Sequence, residues 1–124
     1  MSQLDARGPE GSRIEAGNGW ILGFTRLAIN GLKEAGMQPF IAGDGLHWAC
    51  NGEIYNHEEL EREYNLTCES KSDCECILHL YKMFGFRRTI ELLSGDFAVV
   101  LLDGDTVYFA RDCIGVRPLF YGFT

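Results

Sequence analysis

The stretch that most constrains this chain is Asn51-Gly52-Glu53-Ile54-Tyr55-Asn56. An apolar run, Leu46-His47-Trp48-Ala49-Cys50, leads into it and reads as a buried strand, and a helix pattern opens at His57. A strand end that meets a helix start leaves backbone N–H groups able to face a ligand. Gly52 has no Cβ, so a substrate can approach its backbone closely. Asn51 offers a side-chain N–H donor, and Glu53 a carboxylate for a cationic group. The stretch therefore suits a small zwitterion. It also suits an ordinary strand–turn–helix joint with Asn56 as the N-cap, the reading that spacing alone favours.

The flanks read as short elements in alternation. Phe40-Ile41-Ala42 and Leu46-His47-Trp48 bracket Gly43-Asp44-Gly45, a hairpin turn signal, and His47 reads as a packed or surface histidine. A first helix is expected over 57–64, with Asn56 and Glu59 as a capping box and Leu60 and Tyr64 on its buried face. Ser72-Asp73-Cys74-Glu75 reads as a second capping box, opening a stronger helix with Cys74, Ile77, Leu78 and Tyr81 as its apolar stripe. Asp73 falls in its first turn, where the helix dipole favours a carboxylate. Gly85 reads as its C-cap, and a short helix over 87–93 follows. A buried strand at 97–102 turns at Asp103-Gly104-Asp105 and returns over 106–110. Arg111, Asp112 and Arg117 read as a structural ion-pair cluster rather than a surface patch. Upstream, residues 1–19 are polar and Gly-rich, with Arg7-Gly8-Pro9-Glu10-Gly11 as a loop. Residues 20–29 have strand character, with Arg26 as their one charge, and 30–38 form a long connection.

Composition narrows the classes. A chain of 124 residues, 46% hydrophobic, suits one domain with a real core. A net charge of -7 argues against a nucleic-acid surface, and no apolar run approaches the ~20 residues of a membrane span. The first residues lack the basic and apolar parts of a signal peptide. The five cysteines lie in or beside expected elements, which fits a reducing, cytoplasmic setting. Cys74-x-Cys76, with Cys68 nearby, is not a CxxC pair and has no second pair or His cluster after it. On a helix the two point about 200° apart. No metal is expected.

Taken together, these motifs resemble the glutaminase domain of class II glutamine amidotransferases, over nearly the whole chain. Arg7 to Gly11 is similar to the family's RGPD/E-G loop, and Gly23-Phe24-Thr25-Arg26-Leu27-Ala28-Ile29 to its arginine-bearing strand. Asn51 to Asn56 resembles its NGEIYN signature, and Ser72 to Glu75 its SDCE helix start. Ser94-Gly95-Asp96-Phe97-Ala98 and residues 110–122 resemble its later strands. The EIYN word with SDCE favours the asparagine synthetase branch. Another class II amidotransferase, or a non-catalytic glutamine-binding module, is the rival reading.

The resemblance implies an α+β fold, the N-terminal-nucleophile hydrolase four-layer αββα sandwich, here incomplete at both ends. It implies hydrolysis of glutamine to glutamate and ammonia. The ammonia would pass to a synthetase domain that amidates aspartate with ATP and Mg, in a parent that could be a homodimer. It assigns Arg26 to the glutamine α-carboxylate and Glu53 and Asp73 to the α-ammonium. The Asn51 side chain and the Gly52 N–H become the oxyanion hole. Arg can clamp a carboxylate bidentately, and donors fixed at a developing oxyanion supply the largest catalytic contribution. No cofactor is implied for this domain itself.

The chain departs from the family at both ends: the domain is expected to continue past Gly122 into a synthetase domain, and the nucleophile is missing from the start. The family's nucleophile is an N-terminal cysteine whose own amine is the base. It stands on a strand ahead of the RGPD/E-G loop, which this chain reaches at Arg7. Residues 1–6 resemble the end of the intervening helix. Ser2 is too close to Arg7 to replace it, and Cys50 reads as a buried structural thiol. The sequence thus reads as a piece of a glutaminase domain, inactive by itself.

Overall fold

The computed structural model describes residues 8–26 and 36–124. Arg7, Ser2 with the rest of residues 1–6, the 27–29 end of the expected arginine strand and most of the 30–38 connection lie outside them.

Two antiparallel sheets organise the described residues. Strands β1 (Ser12–Gly17) and β2 (Trp20–Thr25) form a hairpin across Asn18-Gly19, with Gly19 at φ +85. β1 falls within residues 1–19, whose polar, Gly-rich sequence carries no strand expectation. Its alternation is inverted, with Arg13 and Glu15 half-buried and Ile14 exposed, so hydropathy hides it. The Asn-Gly pair is the signal that marks it. The larger sheet runs β3 (Phe40–Ile41), β4 (Leu46–Ile54), β5 (Gly95–Asp103) and β6 (Thr106–Arg111), in that order. Its expected hairpins form, with Gly45 at φ +83 and Gly104 at φ +57.

Helix α1 (His57–Glu63) and α2 (Cys76–Leu92), the latter preceded by a 3-10 turn at Asp73–Glu75, cover one face of this sheet. Register puts Trp48, Cys50 and Ile54 of β4 on that face, beside Leu101 and Val99 of β5. They pack against Leu60, Cys76, Ile77 and Leu80. Trp48 stacks on Phe40 at 4.8 Å and donates its indole N–H to the Cys74 carbonyl at 3.3 Å. Full burial of each large aliphatic side chain here stabilises by about 1.5–3 kcal/mol. His47, Ala49, Asn51 and Glu53 alternate onto the opposite face. There the Trp20 ring of β2 lies 4.7 Å from the His47 ring, which brings the β1–β2 hairpin to that side. The result is a helix layer, a sheet and a second sheet. No described helix is long and apolar enough to cross a membrane.

α2 breaks at Gly85 (φ 77, ψ 172), as its sequence suggests, and resumes through Leu92. Its buried residues are Cys76, Ile77, Leu80 and Thr89, so the apolar stripe is turned slightly from the expected one. Neither capping box forms. Asn56 instead spans to the far end of α2, donating to the Leu92 carbonyl (2.9 Å) and accepting from the Ser94 N–H (2.8 Å). Glu75 accepts from the Glu69 and Ser70 N–H groups and from the Ser70 hydroxyl, upstream of the cap position. In both places a tertiary partner outcompetes the local one.

Candidate active site

The signature stretch is the last part of β4, not a joint beyond it. Asn51 to Ile54 stay paired with β5, and the turn comes only at Tyr55 and Asn56. Along a strand, successive residues turn their N–H groups to opposite edges. The Cys50 N–H donates to Gln38 Oε1 (2.6 Å), and Gln38 Nε2 donates back to the Cys50 carbonyl (3.1 Å). Two turns of this alternation further, the Ile54 N–H donates to Asp73 Oδ2 (2.6 Å). Both face the edge away from β5. Phe97, opposite Gly52, bonds the other way, its carbonyl accepting from the Asp112 N–H (2.8 Å) and its N–H donating to Asp112 Oδ2 (3.2 Å). By this alternation the Gly52 N–H lies on the same edge as Cys50 and Ile54, between a capped neighbour on each side.

Gly52 is required there. Its φ is +140, and a Cβ at this position would collide with the Asp96 carbonyl oxygen. Gly95, two residues away across the ladder, meets the Glu53 carbonyl in the same way. The paired glycines let β4 and β5 twist closely together at the site end.

Asn51 is exposed on the face away from the helices, in register with Ala98 and, through it, Arg111. Glu53 shares that face and is half-buried opposite Asp96. Asp73 arrives from the helix side, buried, with one carboxylate oxygen held by the Ile54 N–H. It therefore does more than neutralise a helix dipole. The structure thus gathers Asn51, Gly52, Glu53 and Asp73 at one strand end. Arg26 belongs to the other sheet, just past β2, where its N–H donates to the Gly11 carbonyl and its carbonyl accepts from the Glu10 N–H. These bonds join two motifs far apart in sequence but adjacent in space, the Pro9-Glu10-Gly11 loop and the arginine.

The expected ion-pair cluster of Arg111, Asp112 and Arg117 is not what forms. Asp112 is buried and accepts backbone N–H groups from Phe97, Ile114, Gly115, Val116 and Arg117 at 2.6–3.3 Å. Burial raises its pKa, but the amides of Val116, Arg117, Gly115 and Phe97 outweigh that and hold it at about 2. An Asp three residues before a Gly is a turn signal that sequence reading could have used. Arg111 instead lies over Gly115. Tyr55 donates its hydroxyl to Asp96 Oδ2 (2.7 Å), and this bond is the main reason its pKa is raised. Gln38 escaped the sequence reading, and Tyr55 and Asp96 entered it only as members of their motifs, with no role of their own. Gln38 carries no local signal at all, because its partner is 12 residues away.

Beneath the site, Cys50 is buried on the helix side, as expected of a structural thiol. The neighbouring Cys74 thiol has its pKa raised well up, by its hydrogen bond to Cys50 and then by burial.

The family model of the glutamine amidotransferase domain matches residues 1–124. The chain is similar to the probable asparagine synthetase (glutamine-hydrolyzing) of Acanthamoeba polyphaga mimivirus, 43% identical over 129 residues, covering 99% of this chain and 24% of the viral protein. It is likewise similar to the asparagine synthetase (glutamine-hydrolyzing) of Homo sapiens, 43% identical over 125 residues, covering 95% of this chain and 22% of the human protein. The chain thus spans about a quarter of these relatives' length. Among solved structures, the glutamine phosphoribosylpyrophosphate amidotransferase of B. subtilis, complexed with ADP and GMP, shares the fold. Its TM-score is 0.63 at 21% identity, over 74% of this chain and 23% of that one.

Proposed function

Since the chain belongs to the glutamine amidotransferase domain family, we propose that the site end of β4 binds glutamine and supports hydrolysis of its side-chain amide. In this reading the ammonia goes to a synthetase domain, in keeping with relatives named asparagine synthetase (glutamine-hydrolyzing), and that domain would use ATP and Mg to amidate aspartate. The observation that carries the reading is the edge of β4. Gln38 and Asp73 cap the amides on either side of Gly52, and the Gly52 N–H between them lies on the same edge, where this reading puts the oxyanion.

Asn51 would supply the second oxyanion donor from its side-chain amide. The Glu53 carboxylate and the second oxygen of Asp73 would hold the α-ammonium, and Arg26 the α-carboxylate. The hydrolysis proceeds by attack of an N-terminal cysteine thiolate on the amide carbon. The cysteine's own α-amine, having taken the thiol proton, returns it to the nitrogen as the tetrahedral intermediate expels ammonia, and water then cleaves the thioester to release glutamate. The reading also includes a cytoplasmic setting and a homodimeric whole protein.

The test uses a chain extended upstream to open Met-Cys-Gly-Ile. It should release glutamate from glutamine, and replacing that cysteine by alanine should abolish release. Asp73→Asn should raise KM for glutamine by about tenfold, the equivalent of one weakened charged hydrogen bond, with kcat changed less. Glutamate release no greater than in the cysteine-to-alanine protein would overturn the reading.

A further inference from the structure

We propose that Cys68, Glu75 and His79 form a site for a thiophilic divalent cation of the zinc class. Each offers one ligand atom, and these atoms lie within 4.8 Å of one another. The sequence reading looked for a metal at Cys74-x-Cys76 and expected none. Those two indeed point apart, Cys74 toward Cys50 and Cys76 toward the Asp73 carbonyl. The donors that converge are Glu75, which lies between them, and Cys68 and His79 on either side. Glu75 and His79 are four residues apart and so share one helix face.

Two observations point to a ligand rather than to an ordinary ion pair. His79 Nε2 is buried and has no hydrogen-bond partner among the described residues. It lies 3.9 Å from Glu75 Oε1, too far for a hydrogen bond. Two ligands on one tetrahedral ion with bonds of about 2.0–2.2 Å would stand about 3.4 Å apart, so a small closure would seat both. Glu75 is also oriented from behind by the Glu69 and Ser70 N–H groups and the Ser70 hydroxyl, the kind of outer support that holds a ligating carboxylate.

Burial, with Glu61 and Glu75 close by, pushes the Cys68 thiol up to about 12. A divalent cation reverses that balance, and the thiol proton passes to solvent as the sulfur binds. Cys68 lies on the connection that leads from α1 to Asp73, so the ion would clamp this connection to α2 beside the site.

The experiment titrates the chelator-treated 124-residue chain with Co²⁺ and then displaces it with Zn²⁺. One equivalent should bind with the near-ultraviolet charge-transfer absorption of a cobalt–thiolate bond, and Zn²⁺ should remove it. Cys68→Ser should abolish that absorption. His79→Gln should weaken affinity by more than about tenfold, since even outer partners are typically worth that much. Cys113→Ser, which removes an exposed thiol, should change nothing. Absorption that survives Cys68→Ser, or that vanishes with Cys113→Ser, would overturn the proposal, as would unaltered affinity in His79→Gln. Should either variant lose its circular-dichroism signature of folding, the imidazole nitrogen resonances of His79 in the unaltered chain decide. A shift on one equivalent of Zn²⁺ supports the site, and none refutes it.

Discussion

Gly52 and Gly85 both hold positive φ, yet their surroundings differ. Nothing lies within 4 Å of a Cβ built on Gly85, so Gly85→Ala should cost only the backbone strain of its glycine-only φ/ψ, about 1–3 kcal/mol. At Gly52 the Cβ meets the β5 backbone, which cannot yield like a side chain. Strain and overpacking together should cost about 3 kcal/mol or more. Urea unfolding of the two variants checks this, and a Gly52→Ala loss no larger than that of Gly85→Ala would refute the close strand approach. Asp112 is the second residue with a readable consequence. Its folded pKa of about 2 lies below the ordinary 3.8, so its stabilisation is present above about pH 4 and is lost as pH falls toward 2. Asp112→Asn should flatten that part of the acid-unfolding profile and leave the rest. At this scale the sequence made Asn51 and Glu53 candidates through their side chains, Gly52 through its lack of one, and Asp73 through the family resemblance. Gln38 and Asp112 escaped because backbone amides distant in sequence or folded into a loop give them their roles.

The elements were legible where local and tertiary preferences agree. Glycine breaks α2 at the expected place, and glycine turns close both hairpins of the larger sheet. They were not legible where a distant partner wins. Asn56 joins α1's start to the end of α2 instead of capping its own helix, and β1 hides its pairing behind inverted hydropathy. The edge of β4 is the clearest case. Its Cys50 backbone is completed by the side chain of Gln38, which acts as a one-residue strand. Gln38→Ala removes both bonds and leaves a buried N–H and carbonyl without partners, which should cost about 2–4 kcal/mol. Gln38→Glu keeps the acceptor but not the donor and should fall between. Thermal melts that place Gln38→Ala within about 0.5 kcal/mol of the parent, the spread of ordinary surface changes, would show that the edge does not depend on this side chain.

Across the whole molecule, the helices bury one face of the larger sheet and leave Asn51 and Glu53 on the other, toward the β1–β2 side. This separation lets a rigid apolar core fix β4 while its chemistry faces outward, and it follows from strand alternation alone. The account therefore stands on the Asn51–Gly52 pair acting as an oxyanion hole. The most direct test is the steady-state kinetics of Asn51→Ala in a chain extended upstream with the N-terminal cysteine. The amide should bind the tetrahedral oxyanion more strongly than the ground-state carbonyl, so kcat should fall by about 10²–10³ while KM for glutamine changes little. A kcat within about threefold of the parent, well short of a donor's usual effect, would contradict the account.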